Sequence, residues 1–195
     1  MTNLDTPVWY IAFGSNLYRP RLLAYLEGNR IPGAPGQQRQ TGARDHAAPT
    51  ADEPHQLPFE LYFANESKRW GGGGAAFVDP KTPSTTTIGR RFRLTWGQLE
   101  DVWRQENGAT EPETASAEQL RSAGQLTGYT GWYQTLLYCG EHADGAPMAT
   151  ITSSHRHPGN PPSRAYLAVI DKGLAELGHT AQQRRDYLAP HRHGS

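Results

Sequence analysis

Residues 8–13 read VWYIAF, an unbroken run of apolar and β-favouring side chains. A short run of this kind predicts a buried strand. Gly14, Ser15 and Asn16 end the run, and Pro20, a residue suited to the first turn of a helix, follows them. The chain is therefore expected to open as a strand, a tight turn and a helix.

The rest of the chain contains several predicted strands that do not alternate with helices. This order predicts an α+β fold, in which a small, mostly antiparallel sheet or barrel has helices packed outside it. Residues 109–128, rich in Ala, Glu, Thr, Ser and Gly, are predicted to be an insertion or flexible loop. Further strands are expected at 57–64, 75–78, 85–94, 132–138 and 148–152, a turn at 81–84, and helices at 20–27, 96–106, 164–177 and 180–188.

Length and charge exclude several classes of protein. A chain of 195 residues fits one domain, 1–195. Lys and Arg total 19, as do Asp and Glu, so general nucleic-acid binding is not expected. The single Cys139 excludes a disulfide framework and a multi-cysteine zinc site. No apolar run approaches the ~20 residues of a membrane helix, and residues 1–7 lack a signal-peptide pattern, so a cytoplasmic protein is expected.

Glu106 is the most informative single residue. It shares one helical face with Trp96, Leu99 and Trp103, at spacings of 3, 4 and 3 residues. A carboxylate on an apolar stripe is costly unless it is paired or neutralised, and such a carboxylate suits general acid–base catalysis. The alternative is an end-of-helix glutamate that turns back to solvent or pairs with an arginine.

The turn at 14–16 is the second candidate. A turn between a buried strand and a helix can aim consecutive N–H groups at one carboxylate or oxyanion. The alternative is an ordinary strand-to-helix connection. Ser15 does not lie in a G-x-S-x-G elbow, so a serine hydrolase that pairs Ser15 with a loop histidine is a distant third possibility.

Two histidine pairs and a glycine run complete the candidates. His155 with His157 and His191 with His193 have i, i+2 spacing, but both pairs fall in predicted loops, so solvated side chains are expected rather than a metal site. The glycines at 71–74 lack a following Gly-Lys-Ser/Thr and predict a close backbone approach or a tight turn. Trp70, beside them, suits either a pocket wall or the core.

Five motifs, in this order along the chain, resemble those of the γ-glutamylcyclotransferase-like (AIG2-like) family. The residues YIAFGSNL at 10–17 resemble the family's Y-x-A-Y-G-S-N-L, and Trp70 to Ala75 resemble its W-x-G-G segment. The residues RQENG at 104–108 resemble the D-E-Q-E-G that ends its catalytic helix. The residues GWY at 131–133 resemble its G-x-Y, and PPSRAY at 161–166 its P-P-S-x-x-Y. The resemblance covers about residues 8–188.

The resemblance implies a mixed, mostly antiparallel β-barrel-like sheet flanked by helices. It also implies cleavage of a γ-glutamyl amide by internal cyclisation, which yields 5-oxoproline and a free amine. Glu106 would be the catalytic proton carrier, and this chemistry requires no cofactor, metal or covalent nucleophile. The implied partner is a small γ-glutamyl substrate. The residues expected to bind it are Phe13, Gly14, Ser15, Asn16, Leu17, Trp70, Gly71, Tyr133 and Tyr166.

Two departures from the family pattern bear on the substrate. Phe13 stands where the family has tyrosine, so a hydroxyl contact is lost there. The insertion at 109–128 lies between Glu106 and Tyr133, where it would cover the pocket or reshape the leaving-group side. These departures favour a γ-glutamyl amine or peptide over glutathione. They also leave a second reading open, a non-catalytic module that binds a small carboxylate or a peptide tail.

Overall fold

A computed structural model describes residues 3–192, without the side chains of Asn3, Ser84 and Thr85. Within that range six strands form one sheet in the order β2-β3-β1-β6-β5-β4. The β1–β6 pair is parallel and the other four pairs are antiparallel. The predicted α+β class with a mixed, mostly antiparallel sheet is therefore confirmed.

The strands and α-helices have the following bounds. The strands are β1 Pro7–Ala12, β2 Ala51–Ala64, β3 Ala75–Thr95, β4 Gln125–Thr127, β5 Thr135–Glu141 and β6 Pro147–Thr152. The helices are α1 Arg19–Glu27, α2 Trp96–Glu106, α3 Ala117–Ala123, α4 Arg164–Glu176 and α5 Ala181–Leu188. Short 3₁₀ helices include Ser15–Leu17 and Lys68–Trp70.

Strand β1 lies inside the core, as its apolar run predicts. Because successive side chains of a strand point to opposite faces, β1 contributes to two hydrophobic clusters. Val8 and Tyr10 pack into the cluster that holds α1 and α2. Trp9 and Ile11 pack into the cluster that holds α4. Helices on both faces thus cover the strand that leads into the turn at 14–16.

Strands β2 and β3 differ from the sequence prediction. The predicted break at 81–84 is wrong, because β3 continues through it as one strand with a large irregularity. The register shifts on both sides of Phe59, which pairs with Pro83. Leu57 before it pairs with Thr87, and Glu60 after it pairs with Asp79. The Thr87 hydroxyl donates to the Phe59 carbonyl at 2.6 Å and accepts from the Leu61 N–H at 3.1 Å, so a side chain replaces ladder bonds there. Strand β2 also begins earlier than predicted.

The segment at 109–128 is more ordered than its composition indicates. Its second half contains α3 and β4, so the loop prediction is wrong for 117–127. The Ser116 hydroxyl accepts from the Gln119 N–H and caps α3. Ala117 and Leu120 are buried in the same cluster as α2. These two buried side chains attach the short helix to the core.

Helix α2 is the element that carries Glu106. A reciprocal capping box between Thr95 and Gln98 satisfies the first backbone N–H groups, which helices otherwise leave unpaired. The apolar face predicted from the spacing is confirmed, since Trp96, Leu99 and Trp103 are fully buried. No helix within residues 3–192 has the length and apolar character needed to cross a membrane.

Loss of this cap should weaken the fold measurably. We expect Thr95→Ala to lower the free energy of unfolding by about 1 kcal/mol, because the Gln98 N–H loses its acceptor. Urea unfolding with an unchanged m-value would measure the loss. Thr110→Ala, at an exposed threonine, is the matched control and should stay within about 0.5 kcal/mol of the parent. Equal effects of the two substitutions would contradict the capping role.

Candidate functional site

A cavity of about 370 Å³ opens where the C-terminal end of α2 meets the turn after β1. Glu106 reaches it from α2, and the turn supplies one wall. The 3₁₀ helix at Lys68–Trp70, the start of β3 and residues 132–133, just before β5, complete it. The lining includes eight sequence-predicted residues: Phe13, Gly14, Ser15, Asn16, Trp70, Glu106, Tyr133 and Tyr166.

The Glu106 carboxylate lies in this cavity and its side chain is only 15% exposed. Its Oε1 accepts a hydrogen bond from Asn16 Nδ2 at 3.0 Å. Its Oε2 lies 4.0 Å from Arg69 Nη1, at the outer limit of an ion pair. The interpretation that Glu106 turns back to bulk solvent is therefore wrong, and the arginine pairing exists only as this long contact.

Asn16 joins the turn to the carboxylate through its side chain. Its Nδ2 donates to Glu106 and also to the Tyr10 hydroxyl at 3.0 Å. Its Oδ1 is buried and has no hydrogen-bond partner within the described chain. Because a buried acceptor without a partner is costly, this oxygen is suited to accept a ligand N–H. The expected contact of backbone N–H groups with a ligand stays a prediction.

Gly14 is required by the close approach of Tyr166. A Cβ at position 14 would lie 2.8 Å from the Tyr166 hydroxyl and 3.1 Å from the Ala76 Cβ. The Tyr166 hydroxyl accepts from the Ala76 N–H at 3.3 Å. Burial, assisted by the charge of Glu106, raises the pKa of Tyr166 to about 12. The Trp70 ring stacks on the Tyr166 ring with centroids 5.0 Å apart.

Tyr133 is held by the residue that follows Glu106. Asn107 ends α2, and its side chain accepts from the Tyr133 N–H at 3.2 Å and donates to the Tyr133 carbonyl at 3.0 Å. The Tyr133 hydroxyl donates to the Ala76 carbonyl at 2.9 Å. Burial raises the pKa of Tyr133 well above its ordinary value, and neighbouring tyrosines and Glu106 add to this. Tyr133 is thus a neutral wall of the cavity.

Two predicted residues do not line the cavity. Leu17 is fully buried beneath α4, where a Cβ on Gly173 would lie 2.5 Å from it. Gly71 closes the 3₁₀ turn, with φ of +77° and its N–H donating to the Lys68 carbonyl. The close approach expected of the glycine run is confirmed at Gly74, whose Cβ would lie 2.0 Å from the Asn160 carbonyl oxygen.

The sequence patterns do not single out several residues that the structure brings to the cavity. Arg21, Arg69 and Tyr10 line it, and the buried Tyr25 hydroxyl accepts from both arginines. Arg21 and Tyr25 are four residues apart on α1, so they share a face, and that spacing is the signal available in the sequence. Arg69 enters through a loop and carries no comparable signal.

The histidine pairs and Ser15 have other neighbours. His155 Nδ1 contacts the Gln134 amide at 3.2 Å and the Ser153 hydroxyl at 3.5 Å, whereas Ser15 lines the cavity that holds Glu106. His193 lies outside the described residues. Across residues 3–192, no group of three or more His, Cys, Asp or Glu residues is arranged to hold a metal ion.

Sequence comparison identifies a relative that is much longer than this chain. No family model matches the chain. The chain is 30% identical over 199 residues to histone deacetylase 5 of Arabidopsis thaliana, a match over 92% of this chain and 30% of that protein. The chain therefore spans less than a third of that relative's length.

Three solved structures share the architecture. A γ-glutamyl cyclotransferase superposes with a TM-score of 0.55 and 18% identity, over 94% of this chain and 87% of its own. The human protein loc79017 gives 0.53 and 19%, over 95% and 88%. YkqA of Bacillus subtilis gives 0.50 and 15%, over 95% and 54%. The chain thus has the γ-glutamyl cyclotransferase fold.

The contact between Gly14 and Tyr166 can be tested by a double substitution. We expect Gly14→Ala to destabilise the protein by about 1–3 kcal/mol, because the new methyl overlaps the Tyr166 hydroxyl. Tyr166→Phe in that background removes the overlapping atom and should restore part of the loss. Urea unfolding of the four proteins measures the coupling. Strictly additive effects would show that the two residues do not compete for this space.

Proposed function

We propose that the protein is a γ-glutamyl cyclotransferase, which converts a γ-glutamyl amide to 5-oxoproline and a free amine. The observation that carries the proposal is the mostly buried Glu106 carboxylate, hydrogen-bonded to the turn at 14–16 inside one cavity. An intramolecular reaction needs chiefly a fixed substrate conformation and one proton carrier, and a carboxylate inside an enclosed cavity is suited to the second of these roles. The fold shared with a γ-glutamyl cyclotransferase agrees with it.

The reaction proceeds by exchange of one carbon–nitrogen bond for another. The substrate α-amino nitrogen attacks its own γ-carbonyl carbon and closes a five-membered ring. Glu106 accepts the proton that this nitrogen gives up. The bond to the leaving nitrogen then breaks, and Glu106 returns the proton to that nitrogen as it departs. Protons and electron pairs balance without an external reactant.

The glutamyl end of the substrate would lie against the turn at 14–16. There Asn16 Oδ1, which has no hydrogen-bond partner in the described chain, would accept a hydrogen bond from the α-amino group. The Nδ2 atom of the same side chain donates to Glu106. The expected backbone N–H groups of the turn would hold the α-carboxylate. Trp70, Tyr133 and Tyr166 would enclose the glutamyl chain. Phe13, also in the lining, adds no hydroxyl.

The leaving part of the substrate would be an amine or a peptide. No residue of 109–128 is part of the cavity lining, and α3 packs instead against the cluster of α2, so the expectation that this segment covers or reshapes the pocket has no support in the lining. The deacetylase name of the Arabidopsis relative belongs to a protein of which this chain matches 30%, so deacetylation is not proposed here.

The proposal is tested by product analysis. Incubation with a panel of γ-glutamyl amines and dipeptides should yield 5-oxoproline, detected by mass spectrometry. Glu106→Gln keeps the side-chain shape but cannot carry the proton, so the rate should fall by roughly 10²- to 10⁴-fold. Glu118→Gln, at an exposed glutamate on α3, is the matched control and should keep the parent rate.

Two outcomes would contradict the proposal. Full activity of a folded Glu106→Gln protein would remove Glu106 from the mechanism. Tight binding of γ-glutamyl compounds without 5-oxoproline across the panel would favour the second function, a module that binds a small carboxylate or a peptide tail. Calorimetry on the same panel distinguishes that outcome from an empty site.

A further inference from the structure

Trp132 is an exposed tryptophan in the lining of the cavity. It is 39% exposed, whereas the other four tryptophans of the chain are at most 4% exposed. A single exposed apolar side chain is ordinary on a protein surface. Trp132 differs from such a side chain in its position, because large aromatic groups at a cavity are the surfaces against which ligands pack.

The backbone on both sides of Trp132 is fixed to the end of α2. The Asn107 side chain accepts from the Tyr133 N–H at 3.2 Å and donates to the Tyr133 carbonyl at 3.0 Å. On the other side, a Cβ at Gly131 would overlap the Asn107 Oδ1. One side chain thus contacts both neighbours of Trp132 and keeps it beside the end of the helix that carries Glu106.

The cavity has a buried inner end and an exposed rim. Glu106 and the turn at 14–16 form the inner end, where the side chains are mostly buried. Three lining residues are exposed and form the rim: Glu66, Lys68 and Trp132. Glu66 and Lys68 have opposite charges, which offset one another. The indole ring is therefore the feature of the rim that can select one ligand over another.

The indole ring of Trp132 also has no ring partner. Trp70 stacks on Tyr166, and Tyr133 stacks on Phe77 with centroids 4.8 Å apart. Within residues 3–192, Trp132 makes no such contact with another ring. Aromatic rings attract one another in stacked or edge-on arrangements by more than the area they bury. An aromatic group of a ligand would find an open partner here.

We propose that Trp132 determines which leaving amine is accepted, and that the preferred substrates are γ-glutamyl conjugates whose leaving amine carries an aromatic ring. This inference rests on the proposed function, because it assumes that the glutamyl part lies against Glu106 and the turn at 14–16. The group on the amide nitrogen then extends toward the opening and meets the rim. Contact with Trp132 stabilises substrate and transition state alike, so it acts on kcat/KM through KM.

Two substrates of matched size test the preference for a flat ring. γ-Glutamylbenzylamide and γ-glutamylcyclohexylmethylamide share one carbon skeleton, but only the first has an aromatic ring. We expect kcat/KM for the benzylamide to be roughly 2- to 10-fold higher, because stacking adds to the burial of apolar area. Release of 5-oxoproline, followed by mass spectrometry, gives both values. Equal values would overturn the inference.

Substitutions at position 132 test the assignment to this residue. Trp132→Ala should lower kcat/KM for the benzylamide by roughly 5- to 20-fold and abolish the preference, with kcat changed by less than about twofold. The same variant should keep kcat/KM for γ-glutamylethylamide within about twofold of the parent, because an ethyl group makes little contact with the rim. Trp132→Phe retains a flat ring and should retain the preference.

Leu4→Ala is the matched control. Leu4 is the other large apolar side chain exposed within the described residues, at 38%. It packs at the start of α2, where a Cβ on Gly97 would lie 3.3 Å from the Leu4 Cβ, and it is not part of the cavity lining. Its loss should leave the kcat/KM of all three conjugates within about twofold of the parent.

The outcomes distinguish this inference from the proposed function. A parent protein that makes no 5-oxoproline from any γ-glutamyl conjugate refutes the function and the preference with it. An active parent in which a folded Trp132→Ala variant keeps the preference overturns only the role of Trp132. Where circular dichroism shows that Trp132→Ala has not folded, Trp132→Leu decides by the same ratio, since it keeps apolar bulk and removes the ring.

Discussion

The hydrogen bond from Asn16 Nδ2 to Glu106 Oε1 joins residues 90 positions apart, and the sheet makes it possible. Strand β3 ends level with the start of β1, where Thr95 pairs with Pro7. Helix α2 begins there and rises about 16 Å over its 11 residues. Strand β1 covers about 20 Å over its six residues. A helix that runs back beside β1 therefore delivers its last residue to the turn that follows the strand.

The buried guanidinium of Arg21, which lines the same cavity, requires electrostatic compensation. Arg21 is 1% exposed, and within residues 3–192 none of the ion pairs involves it. A buried charge without compensation is costly. The Tyr25 hydroxyl and ring supply part of the compensation, and Gln40, with its amide oxygen turned toward the guanidinium, supplies more. Arg21 and the Glu106 carboxylate line the same cavity.

The sequence predicts the elements whose cause is local. The buried β1 run and the apolar face of α2 depend on neighbours within a few residues, and both appear in the structure. The large irregularity opposite Phe59 does not depend on near neighbours, because the side chain of Thr87, 28 positions away, replaces the missing ladder bonds. The local sequence pattern therefore does not predict it. Helix α3 likewise depends on two side chains that meet a distant core.

The same distinction holds at the candidate site. The pattern around Glu106 places its carboxylate on the buried face, and the strand-to-helix turn is found beside it. Leu17 lies in the same motif, yet its apolar side chain finds a deeper place under α4. Arg69 reaches Tyr25 across 44 positions through a loop. No periodicity encodes such a contact, so tertiary structure alone reveals it.

The tyrosines around Glu106 show how one carboxylate can act among many polar groups. Tyr10, Tyr25 and Tyr166 are buried and Tyr133 is partly buried, and desolvation raises the pKa of each above its ordinary value. The charge of Glu106 raises all four further, because a second negative charge nearby is unfavourable. The phenols therefore stay protonated and neutral. In the proposed reaction, neutral phenols around Glu106 would leave the carboxylate as the group that carries the proton.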